Sequence, residues 1–354
     1  MRLSAFTIVV TEACNFNCTY CYQEKGGKSG ALPVIKRALD FFSPFFTDDC
    51  AINFYGGEPL LAFDLIRDTV AYLEERGRPR QARYSLTTNG SLLTEEIMGF
   101  FHRHRFSLML SFDGLAQEIG RKKGTFASSL ETIGKILDCP GIQLETNSVF
   151  TPETIGYLGR SIDLLLGLSV PDITFVLSSI RPWSAEALAQ FQGELQQVRR
   201  SLGEFFKRTG TIPVRGFRKN PDQGVFGCFA GRDRLALSPD GQIWGCHLFG
   251  DYFKSREWSE DYGLFSFGRL EDFIQDHERR YPEISAHYAR LRTDNYSVRG
   301  WPCFLCDDLE ECRVCPMDAA FCGGEIGAIP DWMCRINGIL RSEIRAFRQE
   351  ISIL

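Results

Sequence analysis

The sequence predicts an α/β protein, with a partial (β/α)6 barrel followed by a cysteine-rich C-terminal region. In the first half of the chain, short runs of β-branched and aromatic residues alternate six times with longer helix-like stretches. The runs are almost continuously apolar, which is typical of parallel strands covered on both faces. After about Thr209 the alternation stops and a second set of cysteines begins. Since six units fall short of a closed TIM-type barrel, we expect an open one.

Each element is placed by its own local pattern. The strands are expected to begin near Phe6, Ala51, Tyr84, Phe106, Ile142 and Ile173. The helices are expected at 32–46, 63–76, 94–104, 126–137, 151–168 and 185–208. Two helix starts carry a capping residue followed by an acidic first turn, namely Thr94 and Thr151. After Thr151, Pro152 stands at the position that favours proline at a helix start.

The C-terminal region has different signals. The segment 238–242 (SPDGQ) is a tight-turn sequence between two short apolar runs, 235–237 and 243–244, and it predicts a β-hairpin. Residues 336–351 form an amphipathic pattern typical of a closing helix. We therefore divide the chain into a barrel (1–215), a cysteine-rich domain (216–335) and a C-terminal helix (336–354).

Composition excludes several classes of protein. The 354 residues include 40 Lys plus Arg against 45 Asp plus Glu, a net charge of −5, and 44% are hydrophobic. The chain is too hydrophobic to be disordered, and it offers no broad basic surface for nucleic acid. No apolar stretch approaches the roughly 18 residues of a membrane helix, and no signal peptide precedes the first strand. We expect a cytoplasmic protein with no nucleic-acid or membrane partner.

The thirteen cysteines point to metal chemistry. Their odd number and the reducing cytoplasm argue against a disulfide framework. Three lie near the start (Cys14, Cys18, Cys21), and eight lie between 228 and 334. The remaining two, Cys50 and Cys139, are interpreted as small buried hydrophobes.

The first cysteine group forms one short loop at the end of the first strand. Three soft thiolates on such a loop can each ligate one iron of a cubane cluster and leave the fourth iron open. Zinc normally takes four ligands, and the nearest histidines in sequence, His102 and His104, are remote; zinc is therefore the weaker alternative.

The ends of the next strands carry further polar and glycine residues. The second strand runs into Gly56, Gly57, Glu58 and Pro59, the third into 88–90 (TNG), and the fourth into 111–114 (SFDG). Active sites of parallel barrels are built at these carboxyl ends. With the CxxxCxxC spacing of the cysteine loop and the aromatic Tyr20 before its third cysteine, these motifs resemble radical S-adenosylmethionine (SAM) enzymes.

The resemblance implies a reaction and a set of roles. The open iron would chelate the methionine end of SAM, whose reductive cleavage gives a 5′-deoxyadenosyl radical that abstracts a substrate hydrogen. Residues that would contact SAM are Tyr20 near the adenine, Gly56 and Gly57 with Glu58 and Pro59 near the methionine ammonium, Asn89 and Ser111 near the ribose or carboxylate, Arg121 at the carboxylate and, more weakly, Asn147 and 173–177. Ser111 and Asn89 are equally explained as strand-end turn residues, and Arg121 as part of a solvated basic run with Lys122 and Lys123.

The second cysteine group resembles a SPASM domain, a C-terminal extension that houses auxiliary iron–sulfur clusters in some radical SAM enzymes. The chain departs from the SPASM pattern in one place, since two residues rather than three separate Cys312 from Cys315. The resemblance implies three 4Fe-4S clusters in all. It assigns an outer auxiliary cluster to Cys303, Cys306, Cys312 and Cys334, and an inner one to Cys228, Cys246 and Cys315. The fourth ligand of the inner cluster is either Cys322 or absent.

SPASM enzymes mostly modify peptides or proteins, so the leading hypothesis is a maturase of ribosomally made, post-translationally modified peptides (RiPPs). Such an enzyme takes a peptide or protein substrate and electrons from a reductase such as flavodoxin or ferredoxin. One alternative is an anaerobic sulfatase maturase, in which an acidic base follows the second hairpin cysteine. Here that residue is His247, which is either a catalytic base or a packing residue. Another alternative is an iron–sulfur electron-transfer protein.

Overall fold

The computed structural model describes residues 1–77, 82–218 and 224–352. Six parallel strands form the barrel sheet, each followed by helical structure. The strands are β1 (Leu3–Thr11), β2 (Phe46–Gly56), β3 (Arg83–Thr88), β4 (Ser107–Ser111), β5 (Gln143–Phe150) and β6 (Asp172–Leu177). The helices are α1 (Leu32–Phe42), α2 (Phe63–Glu75), α3 (Glu95–His104), α4 (Gln117–Gly120), α5 (Phe126–Leu137), α6 (Leu158–Gly167) and α7 (Ala185–Thr209). The predicted α/β fold class is confirmed.

The sheet does not end at the barrel. The predicted hairpin forms from β7 (Arg234–Leu237) and β8 (Gln242–Trp244), and β9 (Ser266–Arg269) pairs with β8. Strand β7 also pairs in parallel with β1, from Ala5 opposite Arg234 to Ile8 opposite Leu237. One nine-stranded sheet results, in the order β6-β5-β4-β3-β2-β1-β7-β8-β9. The hairpin, which Cys228 and Cys246 flank in the sequence, is therefore joined directly to β1, the first strand of the barrel.

The remaining elements are small, apart from two long helices. They are α8 (His247–Phe253), α9 (Glu260–Phe265), α10 (Leu270–Tyr288), β10 (Ser297–Val298), β11 (Trp301–Pro302), α11 (Pro316–Gly323), β12 (Ala328–Ile329) and α12 (Asp331–Ser352). Helix α12 packs on α7, where Arg199 Nε lies 2.9 Å from Glu343 Oε2. In the described parts of the chain, no helix is long and apolar enough to cross a membrane.

Two helices begin at other residues than predicted. The C-terminal helix, predicted from residue 336, begins at Asp331. The helix predicted from Thr151 begins at Leu158, because Thr151 and Thr154 form a turn in which the Thr151 N–H donates to Thr154 Oγ1 at 2.9 Å. By contrast, Thr94 caps α3 as predicted, with Oγ1 accepting from the Ile97 N–H at 3.2 Å.

Candidate active site

The cysteine loop that follows β1 is held by the end of β2. The Gly57 N–H donates to Thr11 O at 2.9 Å, and the Glu58 N–H donates to Ala13 O at 2.8 Å. A Cβ atom at Gly56 would lie 2.3 Å from Thr11 O, and one at Gly57 would lie 2.4 Å from Ala13 O. Both glycines are therefore needed for the close approach of the two strand ends, a role that the sequence analysis did not assign to them.

The three thiols of the loop lie near one another. Burial raises the pKa of Cys14 and of Cys18, and the negative charge of the Cys21 thiolate raises both further. Cys21 itself is exposed. Three sulfur donors on one loop, with no fourth cysteine supplied by it, suit a cubane cluster that keeps one iron open.

A cavity of about 360 Å³ lies at the carboxyl ends of the barrel strands, next to this loop. It brings together almost all the residues predicted to bind the cluster or SAM. The predicted residues that line it are Cys14, Cys18, Tyr20, Cys21, Gly56, Gly57, Glu58, Asn89, Ser111, Arg121, Asn147 and His247. Pro59 does not line it and instead begins a short buried turn after β2.

Arg121 is paired with a residue that sequence analysis did not select. One guanidinium nitrogen, Nη2, lies 3.0 Å from Asp113 Oδ1, and the guanidinium stands over the Tyr20 ring. The Tyr20 hydroxyl donates to the other carboxylate oxygen, Asp113 Oδ2. Since Arg121 is 8% exposed and Asp113 fully buried, the interpretation of Arg121 as part of a solvated basic run is wrong. Asp113 could have been found from its position after β4.

Glu58 and Asn89 are also fully engaged in the protein. The Glu58 carboxylate accepts from Thr88 Oγ1 at 2.7 Å, from the Asn89 N–H at 2.8 Å and from the Leu60 N–H at 3.1 Å. Burial raises its pKa, and these three donors oppose the rise. The Asn89 amide donates to Asn15 Oδ1 at 2.9 Å. The two side chains thus tie the ends of β2 and β3 to the cysteine loop.

Three polar atoms in the cavity wall remain available to a ligand: Arg121 Nε, Asn147 Oδ1 and Ser178 Oγ. Among the described residues, all three are buried and have no hydrogen-bond partner. The Arg121 atom can donate, the Asn147 atom can accept and the Ser178 hydroxyl can do either, and buried polar atoms without partners are costly unless a ligand satisfies them. The cavity therefore fits a polar molecule such as SAM, with the cysteine loop beside it.

The opposite wall of the cavity is aromatic and apolar and comes partly from the C-terminal region. The His247 ring lies on Tyr55, with ring centroids 4.0 Å apart, and the Tyr55 hydroxyl bonds Tyr22 Oη at 2.8 Å. Burial lowers the pKa of His247 to about 4, so the imidazole is neutral near pH 7. Asp318, which sequence analysis missed, also lines this wall, and burial raises its pKa to about 6.

The C-terminal cysteines fall into two groups by their mutual electrostatic influence. Burial raises the pKa of Cys246 to about 12, and the charge of Cys228 adds to the shift. Burial also raises the pKa of Cys315, and the charge of Cys228 raises it further.

In the second group, burial raises the pKa of Cys303 to about 11, and the neighbouring thiolates that add to it are Cys312, Cys334 and Cys306. The pKa of Cys322 is raised by burial alone, with no contribution from another thiol. Across the described ranges, no three Cys, His, Asp or Glu side chains converge closely enough to hold a single ion.

Tyr296 lies between these two groups. It is 3% exposed, and its hydroxyl has no hydrogen-bond partner among the described residues. Burial raises its pKa, and the charges of Cys228, Cys315 and Cys312 add to the rise. The phenol is therefore close to thiols of both groups.

Residues 8–165, which run from the middle of β1 into α6, match the model of the Radical SAM superfamily. The chain contains a radical SAM domain. Proteins with this domain bind a 4Fe-4S cluster and SAM, and the relatives of this chain are enzymes such as cyclases and maturases. The alternative of an iron–sulfur electron-transfer protein is therefore not retained.

Relatives of this radical SAM enzyme include characterised and uncharacterised proteins. An uncharacterized protein of Methanocaldococcus jannaschii is 28% identical over 251 residues, covering 69% of this chain and 82% of its own length. The radical SAM cyclopropyl synthase TigE of Paramaledivibacter caminithermalis is 23% identical over 279 residues, covering 71% of this chain. The chain spans only 59% of the length of TigE.

Two solved structures share the fold. The SPASM-type sulfatase maturase anSMEcpe, with bound AdoMet and a Cp18Cys peptide, superposes with a TM-score of 0.76 at 16% identity, covering 99% of this chain and 98% of its own. Streptococcus suis SuiB bound to its precursor peptide SuiA superposes with a TM-score of 0.61 at 13% identity, covering 94% and 76%. The likeness extends over the C-terminal region, so the radical SAM enzyme is related in fold to SPASM maturases.

Proposed function

We propose that the protein is a peptide-modifying radical SAM/SPASM enzyme, a RiPP maturase that forms a new bond at an unactivated carbon of a peptide residue. The observation that carries the proposal is the cavity itself. One wall holds the cysteine loop and the polar residues suited to SAM, and the other holds His247, Leu248 and Asp318 from the C-terminal region. A substrate residue placed between the two walls would lie next to SAM and apart from bulk water.

The residues of one cavity wall would bind the cluster and SAM, and those of the other would close the cavity. Cys14, Cys18 and Cys21 would hold the SAM cluster, which with SAM supplies a hydrogen-abstracting radical when both are bound. Arg121, oriented by Asp113, would direct its free Nε to the SAM carboxylate, and Asn147 would accept from the ribose or the ammonium. Tyr20, Gly56, Gly57, Glu58, Asn89 and Ser111 would complete this wall. Neutral His247 on Tyr55 would close the opposite side by packing, and it remains able to accept a proton.

Two auxiliary 4Fe-4S clusters form part of the proposal. The outer one would use Cys303, Cys306, Cys312 and Cys334, whose thiols influence one another. The inner one would use Cys228, Cys246 and Cys315 and keep its fourth iron open, because Cys322 shares no charge interaction with them. A flavodoxin or ferredoxin would deliver the electrons. The barrel (1–215) and the SPASM region (216–335) would then be joined by the β1–β7 pairing, with the C-terminal helix (336–354) closing the molecule.

Named relatives support a peptide substrate. Both solved neighbours were crystallised with peptides, Cp18Cys in anSMEcpe and SuiA in SuiB. TigE is named a cyclopropyl synthase, so one relative by sequence forms carbon–carbon bonds. A sulfatase-type maturase is the second candidate, since Asp318 places a carboxylate in the cavity although the position after Cys246 is His247. Loss of activity on a short Cys- or Ser-containing sulfatase-like peptide in His247→Ala or Asp318→Asn would favour it.

The proposal is tested by reconstituting the protein without oxygen and measuring iron and 5′-deoxyadenosine. Three cubanes predict about twelve irons per chain, and about eight when Cys14, Cys18 and Cys21 are all changed to Ala. The triple variant should form no 5′-deoxyadenosine from SAM and dithionite. Cys139→Ala is the matched control, because Cys139 lies outside the three cysteine groups. About four irons in the wild type, all lost in the triple variant, would refute the auxiliary clusters.

The substrate is then sought with a random peptide library displayed on its encoding mRNA. Incubation with enzyme, SAM and reductant should yield peptides whose mass changes only when all three components are present. The absence of any mass change, with SAM cleavage intact, would refute the peptide-modifying role. Cleavage of SAM alone would still leave a radical SAM enzyme that acts on another class of substrate.

A further inference from the structure

Strand β6 is the outer edge of the nine-stranded sheet. On one side it pairs with β5, from Glu145 opposite Asp172 to Phe150 opposite Leu177. On the other side it has one bridge, in which the Ile173 N–H donates to Pro213 O at 3.0 Å. Among the residues that the structure describes, the backbone of the second half of β6, which ends at the active-site cavity, therefore pairs with a neighbouring strand on one side only.

The direction of the free backbone groups follows from the alternation of a strand. The Ser178 N–H donates to Phe150 O of β5 at 2.8 Å, whereas the Ile173 N–H points away from β5. Successive residues alternate in direction, so the N–H and C=O groups of Phe175 and Leu177 point outward with Ile173. Within the described ranges, neither residue has a backbone partner on that side. Backbone N–H and C=O groups that are unpaired at every second residue of an edge strand can hydrogen bond to a further strand laid beside it.

A groove of about 180 Å³ runs along this edge. The C-terminal region forms its far wall through Val314, Trp332 and Asn337, among other residues. Val176, Leu177, Ser179 and Asp318 line both this groove and the active-site cavity. The groove therefore leads from the edge of β6 into the space beside the proposed SAM site.

The inner end of the groove combines an apolar surface with one carboxylate. Val176 is 43% exposed although it lies in a strand of the barrel. Asp318 interacts with Ser179 through one side-chain hydrogen bond, and its carboxylate can accept further donors. A molecule bound in the groove must therefore hydrogen bond to the outward N–H and C=O groups of Phe175 and Leu177, which have the spacing of a strand. It must also offer a hydrogen-bond donor to Asp318, where the groove meets the cavity. An extended peptide has both features, whereas a small molecule or a lipid chain has no such repeat.

We infer that the peptide substrate binds as an added strand on the free edge of β6, hydrogen bonded to the backbone of Phe175 and Leu177, and that Asp318 accepts a hydrogen bond from it where it enters the cavity. The inference deepens the proposed function and rests on it. The geometry makes the enzyme read a length of extended backbone, so recognition tolerates different side chains outside the reacting residue.

The test uses the reconstituted holoenzyme with SAM and the random mRNA-displayed peptide library as the probe. The tightest peptide is then synthesised with a single N-methyl group at each backbone amide in turn. Strand addition predicts that two amides, two residues apart, lose at least tenfold in affinity, while the amide between them changes less than twofold. A uniform response to N-methylation would overturn the inference.

A variant of the enzyme tests the same backbone hydrogen bonds by changing β6 instead of the peptide. Phe175→Pro removes the outward N–H while leaving the bonds to β5, since those belong to the residues on either side. Peptide affinity should fall about tenfold, whereas Phe175→Leu, which keeps the N–H, should fall less than threefold. Equal affinities for both variants would overturn the inference. If Phe175→Pro does not fold, as judged by its iron content, the N-methyl series decides alone.

The outcomes separate the two proposals. If no peptide is enriched or modified, the proposed function fails, and the inference fails with it. If peptides are modified but show no two-residue pattern of N-methyl sensitivity, the proposed function stands and only the β6 site is refuted.

Discussion

Arg121 Nη2 lies 3.0 Å from Asp113 Oδ1, and both side chains are almost completely enclosed by protein. The same carboxylate accepts from the Tyr20 hydroxyl and, through Oδ1, from the Val149 N–H at 2.8 Å. One buried aspartate therefore joins the cysteine loop, the end of β4 and the end of β5. It also holds the guanidinium of Arg121, which lines the cavity and whose Nε is buried without a partner among the described residues.

Asp113→Asn should destabilise the protein strongly. The change leaves the Arg121 charge buried without its partner, which costs about 3–5 kcal/mol when one member of a buried pair is removed. Urea unfolding of the reconstituted protein measures the loss. The matched control is Asp64→Asn, whose carboxylate is 82% exposed beside Arg67 at 2.8 Å and should change the free energy of unfolding by less than about 1 kcal/mol. Equal effects of the two changes would contradict the prediction.

Sequence reasoning located the barrel elements well because each has a strong local pattern. The six predicted strands each fall within or beside β1 to β6, and the cap at Thr94 forms. The pairing of β7 with β1 was not predicted, because the residues lie more than 200 positions apart and neither run specifies its neighbour. Local signals also failed at Thr151, where the side chain of Thr154 stabilises a turn instead of a helix.

At the site, the sequence motifs at the strand ends could be predicted, but the side-chain contacts between them could not. Asp113 belongs to a strand-end segment that could be read as a turn, and only the fold places it beside Arg121 and Tyr20. Asp318 carries no motif, and it reaches the cavity because α11 starts at Pro316, next to Cys315. A single sequence gives residue types and spacing, but the contact of Asp113 with Tyr20 spans 93 positions, and that of Asp318 with Ser179 joins two different regions of the chain.

Gly57→Ala should impair the SAM cluster. The added Cβ would lie 2.4 Å from Ala13 O and 2.7 Å from Glu12 O, so the backbone of the cysteine loop must shift. We expect the iron content to fall by about four per chain, together with SAM cleavage. Gly193→Ala, on an exposed face of α7 with open space around it, is the control and should keep full iron content. Normal iron in Gly57→Ala would show that the loop tolerates the shift.

Cys322→Ser and Cys315→Ser distinguish the two models of the inner auxiliary cluster. Charge interactions connect Cys315 with Cys228, whereas Cys322 has none with another thiol. We therefore expect Cys315→Ser to lose up to four irons and Cys322→Ser to keep the wild-type content. Electron paramagnetic resonance of the reduced proteins identifies which cluster is affected. Loss of the same signal in both variants would mean that Cys322 is the fourth ligand.

Tyr296→Phe should lower the reduction potential of an auxiliary cluster. The buried hydroxyl has no hydrogen-bond partner among the described residues. The charges of Cys228, Cys315 and Cys312 are close enough to add to the rise of its pKa. With the clusters in place, their sulfurs are the acceptors available to this donor, and a hydrogen bond to sulfur stabilises the more negative, reduced state. Removing the hydroxyl removes that stabilisation. A redox titration followed by electron paramagnetic resonance measures the potential, and Tyr157→Phe, in the turn before α6, is the control. Unchanged potentials in Tyr296→Phe would show that the hydroxyl does not bond either cluster.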